Sequence, residues 1–291
     1  MSAVRVRPGA DVERWAGILR LATPRRVLGA AGDRALARSS GASPELEERR
    51  AYVLGDDVRR IDWRGSLAQD RLLLKLFRDE VRPRLELVLD ASASMAVDAA
   101  KSELLVDLAA LLVRLARDAG LEVAVWLLET PPRRLAPEEL FAEGLQLGER
   151  AAAPLELAAA ALAPALRGHA LRWILGDALA PAEPLAWLAP LARGAVATQL
   201  VQVLSAEDAE PSGSAAVILR DAESGAEREL ALDAASLARY RARFERHQRA
   251  LGEAAARAGI AHEVAIAKAA TREARLESAA SALLARGALA Y

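Results

Sequence analysis

The sequence contains no cysteine, and only three of its 291 residues are histidine. Disulfide bonds, thiolate nucleophiles and thiolate metal sites are therefore excluded. The histidines share no ligand spacing, which argues against a histidine-based zinc site; they are His169, His247 and His262. Lysine is equally rare, because the 39 basic residues comprise 36 arginines and three lysines, at Lys75, Lys101 and Lys268.

A strong net charge and a long apolar run are also missing. The formal net charge of −1 gives no general attraction to nucleic acid or to an anionic membrane. The N-terminus has no continuous apolar segment of the kind found in secretory signals. The most apolar stretch, residues 151–166, is interrupted by Pro154, Glu156 and Pro164, so it is typical of a globular helix. We therefore expect a soluble, cytoplasmic protein with no membrane span and no nucleic-acid partner.

From residue 84 onward, short apolar runs alternate with helical stretches. The apolar runs predict strands at residues 84–90, 121–128, 171–175, 195–204 and 260–266. The intervening patterns predict helices at residues 98–119, 137–147, 154–166, 184–193, 234–258 and 272–286. This alternation predicts an α/β fold with a mainly parallel sheet and helices on both faces.

The N-terminal segment does not share this alternation. Helical spacing predicts a helix over residues 11–22, and a Gly-, Ala-, Arg- and Ser-rich stretch predicts a loop over residues 23–44. We therefore divide the chain into an N-terminal segment of residues 1–80, which packs on a main domain of residues 81–291. Within the main domain, residues 215–220 and 229–232 flank a turn-like sequence and predict a β-hairpin.

Oxygen-bearing side chains follow two of the predicted strands. Asp90 ends the first strand and opens the sequence Asp-Ala-Ser-Ala-Ser, and Asp177 follows the strand at residues 171–175. In such sheets, ligands bind outside the carboxyl ends of the strands, at the topological switch point. The alternate spacing lets Asp90, Ser92 and Ser94 point into one pocket with the hard oxygen ligands that Mg²⁺ prefers. The alternative is an ordinary turn that caps the helix that follows.

The sequence resembles the "domain of unknown function fifty-eight" family, whose members have a von Willebrand factor A-like domain and commonly occur beside MoxR-type AAA+ ATPases. The resemblance rests on five motifs: GDDVRRIDWR at residues 55–64, LKLFRDE at 74–80, LVLDASASM at 87–95, LGD at 175–177 and LRDAESG at 219–225. By the order of these motifs, it extends from about Glu47 to the C-terminus. It implies a von Willebrand factor A-like sheet with an N-terminal extension.

The resemblance also implies a metal-ion-dependent adhesion site. Asp90, Ser92 and Ser94 match its first metal-binding loop, and Asp177 matches the aspartate that contacts the metal through water. An open water position on Mg²⁺ or Mn²⁺ would then accept a carboxylate from another protein. The threonine that a second loop normally supplies is absent from residues 148–155, so one direct ligand is missing unless water or Glu149 replaces it.

The charged block after residue 55 has two interpretations. It can form a partner-docking surface or anion site, or it can form a structural ion-pair network that packs around Trp63 and joins the N-terminal segment to the main domain. We favour the structural interpretation. The residues concerned are Asp56, Asp57, Arg59, Arg60, Asp62 and Trp63.

Three functions compete on this basis. We predict a non-catalytic, divalent-metal-dependent protein-binding module that works with a MoxR-type AAA+ ATPase, or with its client, in the assembly or remodelling of protein complexes. The alternative is a structural interaction protein with a degenerate metal site. A metal-dependent hydrolase is the third, but Ser92 stands where a haloacid-dehalogenase phosphatase needs a second acid. The sequence also lacks a G-x-S-x-G elbow and a nucleotide-binding P-loop, so we expect no enzymatic activity.

Overall fold

A computed structural model describes residues 3–22, 46–53, 58, 61–69, 71–77, 84–148, 153–180, 182–213 and 216–291. The chain forms two compact units. The larger consists of Met1–Val27 and Pro83–Tyr291, and the smaller consists of Leu28–Arg82. The predicted division at residue 80 stays a prediction, because much of the smaller unit lies outside the described ranges.

The described strands and helices are numbered here in chain order. The strands are β1 (Val4–Val6), β2 (Arg20–Leu21), β3 (Leu46–Ala51), β4 (Leu73–Phe77), β5 (Arg84–Leu89), β6 (Glu122–Leu127), β7 (Arg133–Leu135), β8 (Leu145–Leu147), β9 (Leu171–Gly176), β10 (Ala197–Ser205), β11 (Ala216–Arg220), β12 (Glu227–Ala231), β13 (Ile260–Ala267) and β14 (Leu289–Ala290). The α-helices are α1 (Asp11–Ile18), α2 (Trp63–Gln69), α3 (Ala99–Asp118), α4 (Pro137–Ala142), α5 (Leu155–Leu162), α6 (Pro184–Ala192), α7 (Ala206–Ala209), α8 (Ala234–Arg257) and α9 (Arg272–Ala285). Short 3₁₀ turns cover Ala93–Ala96 and Ala163–Ala165. Among these described helices, none is both long enough and apolar enough to cross a bilayer.

A six-stranded sheet forms the centre of the larger unit. Its strand order is β13-β10-β9-β5-β6-β7. All neighbouring strands run parallel except β7, which pairs antiparallel with β6. This confirms the predicted α/β fold with a mainly parallel sheet. The edge strand β7 was missed, because three residues after a proline pair are too short to show a strand periodicity.

Helices cover both faces of this sheet, as predicted. One apolar core joins α1, α3 and α9 to the face that carries Leu87 and Leu89. A second core joins α5, α6 and α8 to the opposite face, which carries Val88 and Ile174. Adjacent residues of β5 therefore serve different cores, and all six residues of this strand are buried.

Two predicted helices are shorter than expected. The helix predicted over residues 137–147 ends at Ala142, and the chain continues as β8, which pairs antiparallel with β1. Gly144 makes this change of direction with a φ of +83°, and a side chain there would come within 2.3 Å of the Val6 carbonyl oxygen. The helix predicted over residues 11–22 ends at Ile18, and β2 then pairs with β14. Partners distant in sequence thus decide both helix ends.

The smaller unit contains an antiparallel pair, β3 and β4, and the helix α2. Asp62 precedes this helix and is buried, and its side chain accepts a hydrogen bond from the Gly65 amide at 3.2 Å. The Asp62 amide donates to the Leu73 carbonyl at 2.8 Å, which ties the start of α2 to β4. The last part of the GDDVRRIDWR motif therefore has a local structural role within this unit.

Candidate functional site

The strands β5 and β9 lie side by side at the centre of the sheet, and the chain leaves them in opposite directions. It passes from β5 to β6 on one side and from β9 to β10 on the other. The switch point therefore lies between their carboxyl ends, where Asp90 and Asp177 follow the two strands. The Asp90 amide donates to the Leu175 carbonyl at 2.9 Å, two residues before Asp177. Both acids accordingly lie at one edge of the sheet.

The loop after β5 brings three oxygen-bearing side chains together. Asp90 Oδ1 accepts a hydrogen bond from the Ser92 amide at 2.9 Å. The hydroxyl oxygens of Ser92 and Ser94 are 2.9 Å apart and share a hydrogen bond. One carboxylate and two hydroxyl groups thus gather over a stretch of five residues, and all three side chains are partly exposed. These are hard ligands of the type that binds Mg²⁺.

The helix that follows the loop is capped by another residue. Asp98 accepts the Lys101 amide hydrogen at 2.7 Å and so caps α3. Ser92 precedes the 3₁₀ turn at Ala93–Ala96 without making a side-chain cap. The Asp90 loop therefore does not cap α3, although the bond from the Ser92 amide to Asp90 is that of a hydrogen-bonded turn. Met95 is fully buried and anchors the loop in the core.

Asp90 carries negative charge that its surroundings do not neutralise. Burial and the nearby charge of Asp177 raise the pKa of Asp90 to about 6, although hydrogen bonds from Ser92 act in the opposite direction. Within the described ranges, no lysine or arginine forms an ion pair with Asp90. A cation at this loop would relieve the unfavourable charge, so the residues present fit a metal ion. No three His, Asp or Glu side chains of the described residues group closely enough to hold a metal by themselves, so serine hydroxyls would be needed.

Glycine at the end of β9 gives Asp90 its space. A Cβ atom on Gly176 would lie 2.6 Å from the Asp90 Cβ and 3.1 Å from Asp90 Oδ2. A contact of 2.6 Å is too short for two carbon atoms, so any larger residue would shift either Asp90 or β9. The Leu-Gly-Asp sequence thus positions both acids of the site.

Asp177 is bound to a lysine that sequence reasoning did not select. Lys101 Nζ donates to Asp177 Oδ2 at 2.8 Å and to Asp208 Oδ2 at 3.0 Å. The other oxygen of Asp177 accepts the Leu179 amide hydrogen at 3.2 Å. The relative exposure of these side chains is 3% for Lys101, 7% for Asp177 and 27% for Asp208. The rarity of lysine was the signal available in the sequence.

The charges of this group shift two pKa values. Burial by itself lowers the pKa of Lys101, but the charges of Asp177 and Asp208 outweigh it and leave the pKa above the ordinary lysine value. Burial by itself raises the pKa of Asp208, but Lys101 and hydrogen bonds from Ser205 outweigh it and leave that pKa lowered. The ammonium and the Asp208 carboxylate therefore both stay charged at neutral pH.

The backbone after Asp177 is held in an unusual conformation. Ala178 has a φ of +50°, a region that residues other than glycine seldom adopt. Gln202 donates from Nε2 to the Asp177 carbonyl at 2.8 Å, and His247 Nε2 lies 2.7 Å from the Ala178 carbonyl. Groups from β10 and α8 thus fix this turn and keep Asp177 at the sheet edge.

The predicted hairpin reaches the Asp90 loop. It is confirmed as β11 and β12, which pair antiparallel. Glu223 Oε1, at the hairpin turn, accepts the Ser94 amide hydrogen at 2.8 Å. Asp221 stabilises the turn by accepting from the amides of Glu223 and Ser224 at 3.1 and 2.7 Å. A second acidic side chain therefore lies beside the loop.

The remaining predicted site residues are distributed unevenly. The Gly148 amide donates to the Ala91 carbonyl at 2.9 Å, so the second loop meets the first at that point, but residues 149–152 lie outside the described ranges. Asp56, Asp57, Arg59 and Arg60 also lie outside them. Trp63 is 63% exposed, and the ion-pair network expected around it stays a prediction.

Comparison with known proteins gives one family match. The model of the family described as "Protein of unknown function DUF58" matches residues 48–254, which is more than half of the chain. No curated protein matches the sequence.

Solved structures that are similar to the chain include two from Bacteroides species. The conserved hypothetical protein BatB from Bacteroides thetaiotaomicron is 11% identical with a TM-score of 0.38, over 70% of this chain and 98% of that one. An aerotolerance-related membrane protein from Bacteroides fragilis NCTC 9343, with multiple mutations to serines, is 12% identical with a TM-score of 0.33, over 69% and 98%. At these TM-scores, neither structure bears on the function.

Proposed function

The chain belongs to the DUF58 family of proteins of unknown function, and from this premise we propose that it is a non-catalytic, divalent-metal-dependent protein-binding module of the von Willebrand factor A type. Asp90 would hold the ion through its carboxylate, and Ser92 and Ser94 would hold it through their hydroxyl groups. The ion would be Mg²⁺ or Mn²⁺, because the ligands are hard oxygens. When bound, it would supply an open coordination position for an acidic side chain of a partner.

The charge and position of Asp90 carry this proposal. The carboxylate lies at the switch point of the sheet beside two hydroxyl groups that are 2.9 Å apart. Its pKa is raised, and no basic side chain within the described ranges pairs with it. A partly buried carboxylate without a counter-ion costs folding free energy, and such a cost is typical of a functional site.

The partner is proposed from the family resemblance. Relatives commonly occur beside MoxR-type AAA+ ATPases, so we propose such an ATPase, or a client that it remodels, as the protein that binds at Asp90. A cytoplasmic location belongs to the same proposal. Glu223 shows that a carboxylate can approach this loop, because its Oε1 accepts the Ser94 amide hydrogen.

The direct test is calorimetric titration of the purified full chain with MgCl₂ and MnCl₂. We expect one binding event in the wild type and none in Asp90→Ala. Asp118→Asn is the matched control, because Asp118 is exposed at the far end of α3. Binding to a purified MoxR-type ATPase should then require the ion. Equal binding with and without EDTA would refute metal-dependent capture.

A second candidate function is a structural interaction protein with a degenerate metal site. Two observations favour it: residues 148–155 contain no threonine, and Asp177 is already paired with Lys101. In this case millimolar Mg²⁺ or Mn²⁺ would not bind, and partner binding would not change with a chelator.

We propose no catalytic activity. Ser92 holds a hydroxyl where an aspartyl phosphatase would need its second acid. Chromogenic phosphate and ester substrates should therefore show no turnover that Asp90→Asn removes. Turnover that depends on Asp90 would establish a hydrolase instead.

A further inference from the structure

The ion pair between Lys101 and Asp177 lies at the same sheet edge as the Asp90 loop. The ammonium of Lys101 is 2.8 Å from Asp177 Oδ2 and 3.0 Å from Asp208 Oδ2. Lys101 extends from the first turn of α3, whereas Asp177 follows β9 and Asp208 lies in α7. The Lys101 side chain therefore links the start of α3 to the end of β9 and to α7.

A buried ammonium needs partners of this kind. Moving an unpaired charge out of water is unfavourable, and close carboxylates offset that cost. Asp177 and Asp208 supply two such partners, and the Lys101 side chain is only 3% exposed. A divalent ion within direct reach of the same Asp177 oxygen would lie close to the ammonium, where repulsion between like charges opposes it.

The choice of lysine supports a specific role for this position. Arginine outnumbers lysine by 36 to three in the chain. The ammonium is a compact point charge, whereas the guanidinium is a planar fork that needs more space and a different arrangement of acceptors. Two carboxylate oxygens at 2.8 and 3.0 Å from one nitrogen are an acceptor arrangement that suits an ammonium.

We propose that Lys101 is the permanent cation of Asp177, so that Asp177 does not take part in holding a divalent ion and the ion is confined to the loop of Asp90, Ser92 and Ser94. The second half of this statement rests on the proposed function, because it assumes that the loop binds an ion. The first half does not. Lys101 acts here as a positioning residue that fixes Asp177 and Asp208 without metal.

Nitrogen NMR of the lysine side chains tests directly whether Lys101 is the permanent cation of Asp177. The full chain has three lysines, so selective ¹⁵N labelling gives few signals, and Lys101→Arg identifies the one from Lys101. We expect its ammonium hydrogens to exchange slowly with water in the metal-free protein kept in EDTA. This exchange should remain slow during titration with MgCl₂. Fast exchange in the metal-free protein, or a change to fast exchange as Mg²⁺ is added, would overturn the proposal.

Calorimetry on two variants tests whether the ion is confined to the loop of Asp90, Ser92 and Ser94. We expect Asp90→Asn to weaken Mn²⁺ binding on the order of tenfold or more, and Asp177→Asn to weaken it by less than about threefold. Equal losses in the two variants would make Asp177 a participant and overturn the proposal. If the wild type binds no ion at all, the proposed function fails, while a protected Lys101 signal still supports Lys101 as the cation of Asp177.

Discussion

Glu86 on β5 and Arg172 on β9 face each other as cross-strand neighbours and form an ion pair inside the larger unit. Arg172 Nη2 lies 2.7 Å from Glu86 Oε2, and the two side chains are 0% and 1% exposed. Arg172 also donates to the carbonyls of Leu191, Arg193 and Arg167. The pair therefore joins the two strands whose ends carry Asp90 and Asp177, and it connects them to the end of α6.

Removing one partner of this pair should destabilise the protein strongly. We expect Arg172→Met to lower the free energy of unfolding by about 3–5 kcal/mol, because it leaves a buried carboxylate without a counter-ion. Urea unfolding followed by circular dichroism measures the change. The control is Arg5→Met, whose pair with Glu143 is 51% and 64% exposed and should contribute at most about 1 kcal/mol. A similar small loss for Arg172→Met would contradict the structure.

The double variant Glu86→Leu with Arg172→Met separates charge from packing. It removes both charges, so we expect it to recover part of the stability that Arg172→Met loses. The recovery is incomplete, because the carbonyls that Arg172 contacts and the Arg167 amide that donates to Glu86 lose their partners.

Asp90 should make the stability of the metal-free protein depend on pH. Its folded-state pKa of about 6 lies above the ordinary value of 3.8, so the folded state favours the protonated carboxyl. Stability should therefore fall as the pH rises from about 4 to about 6 and then level off. Relative to Asp90→Asn, the wild type should lose about 1–3 kcal/mol across this range.

Urea unfolding of both proteins in EDTA at pH 4.5, 6.0 and 7.5 measures this difference. Asp118→Asn, at an exposed position, should show no such trend. A wild type that gains stability over Asp90→Asn as the pH rises would mean that Asp90 has a favourable partner after all.

Gly176→Ala should disturb the site through a single methyl group. The added Cβ would lie 2.6 Å from the Asp90 Cβ, so either Asp90 or β9 must shift. We expect a loss of about 1–3 kcal/mol in unfolding free energy and weaker Mn²⁺ binding by calorimetry. Gly252→Ala is the matched control, because nothing lies within 4 Å of the new atom in α8 and the change should stabilise by about 1 kcal/mol. If both variants behave alike, the close contact at Gly176 is incorrect.

Glu223→Ala should release the hairpin turn from the Asp90 loop. The Ser94 amide would lose its 2.8 Å acceptor, so we expect faster hydrogen exchange over residues 92–97 with little change in overall stability. Mass spectrometry of peptides from native-state exchange measures this. Glu227→Ala, on an exposed part of β12, should leave these peptides unchanged. Unchanged exchange in Glu223→Ala would show that the contact is not maintained in solution.

The sequence alone determined most of the central sheet and the Asp90 loop. Apolar runs predicted β5, β6, β9, β10 and β13 within a few residues, because buried parallel strands need continuous apolar side chains. The loop was visible because its three ligand candidates lie within five residues, from Asp90 to Ser94. The place of Asp177 at the same edge followed from the rule that parallel strands end together.

Only the tertiary structure decided which distant charges meet. Lys101 lies 76 residues from Asp177 and 107 from Asp208, and Glu223 lies 129 residues from Ser94. The short pairs β1–β8 and β2–β14 were equally hidden. Periodicity indicates which side of a segment is apolar, but it does not indicate which distant segment packs against that side. Lys101 meets Asp177 because α3 packs on the sheet beside the end of β9, and this packing exists only in the folded chain.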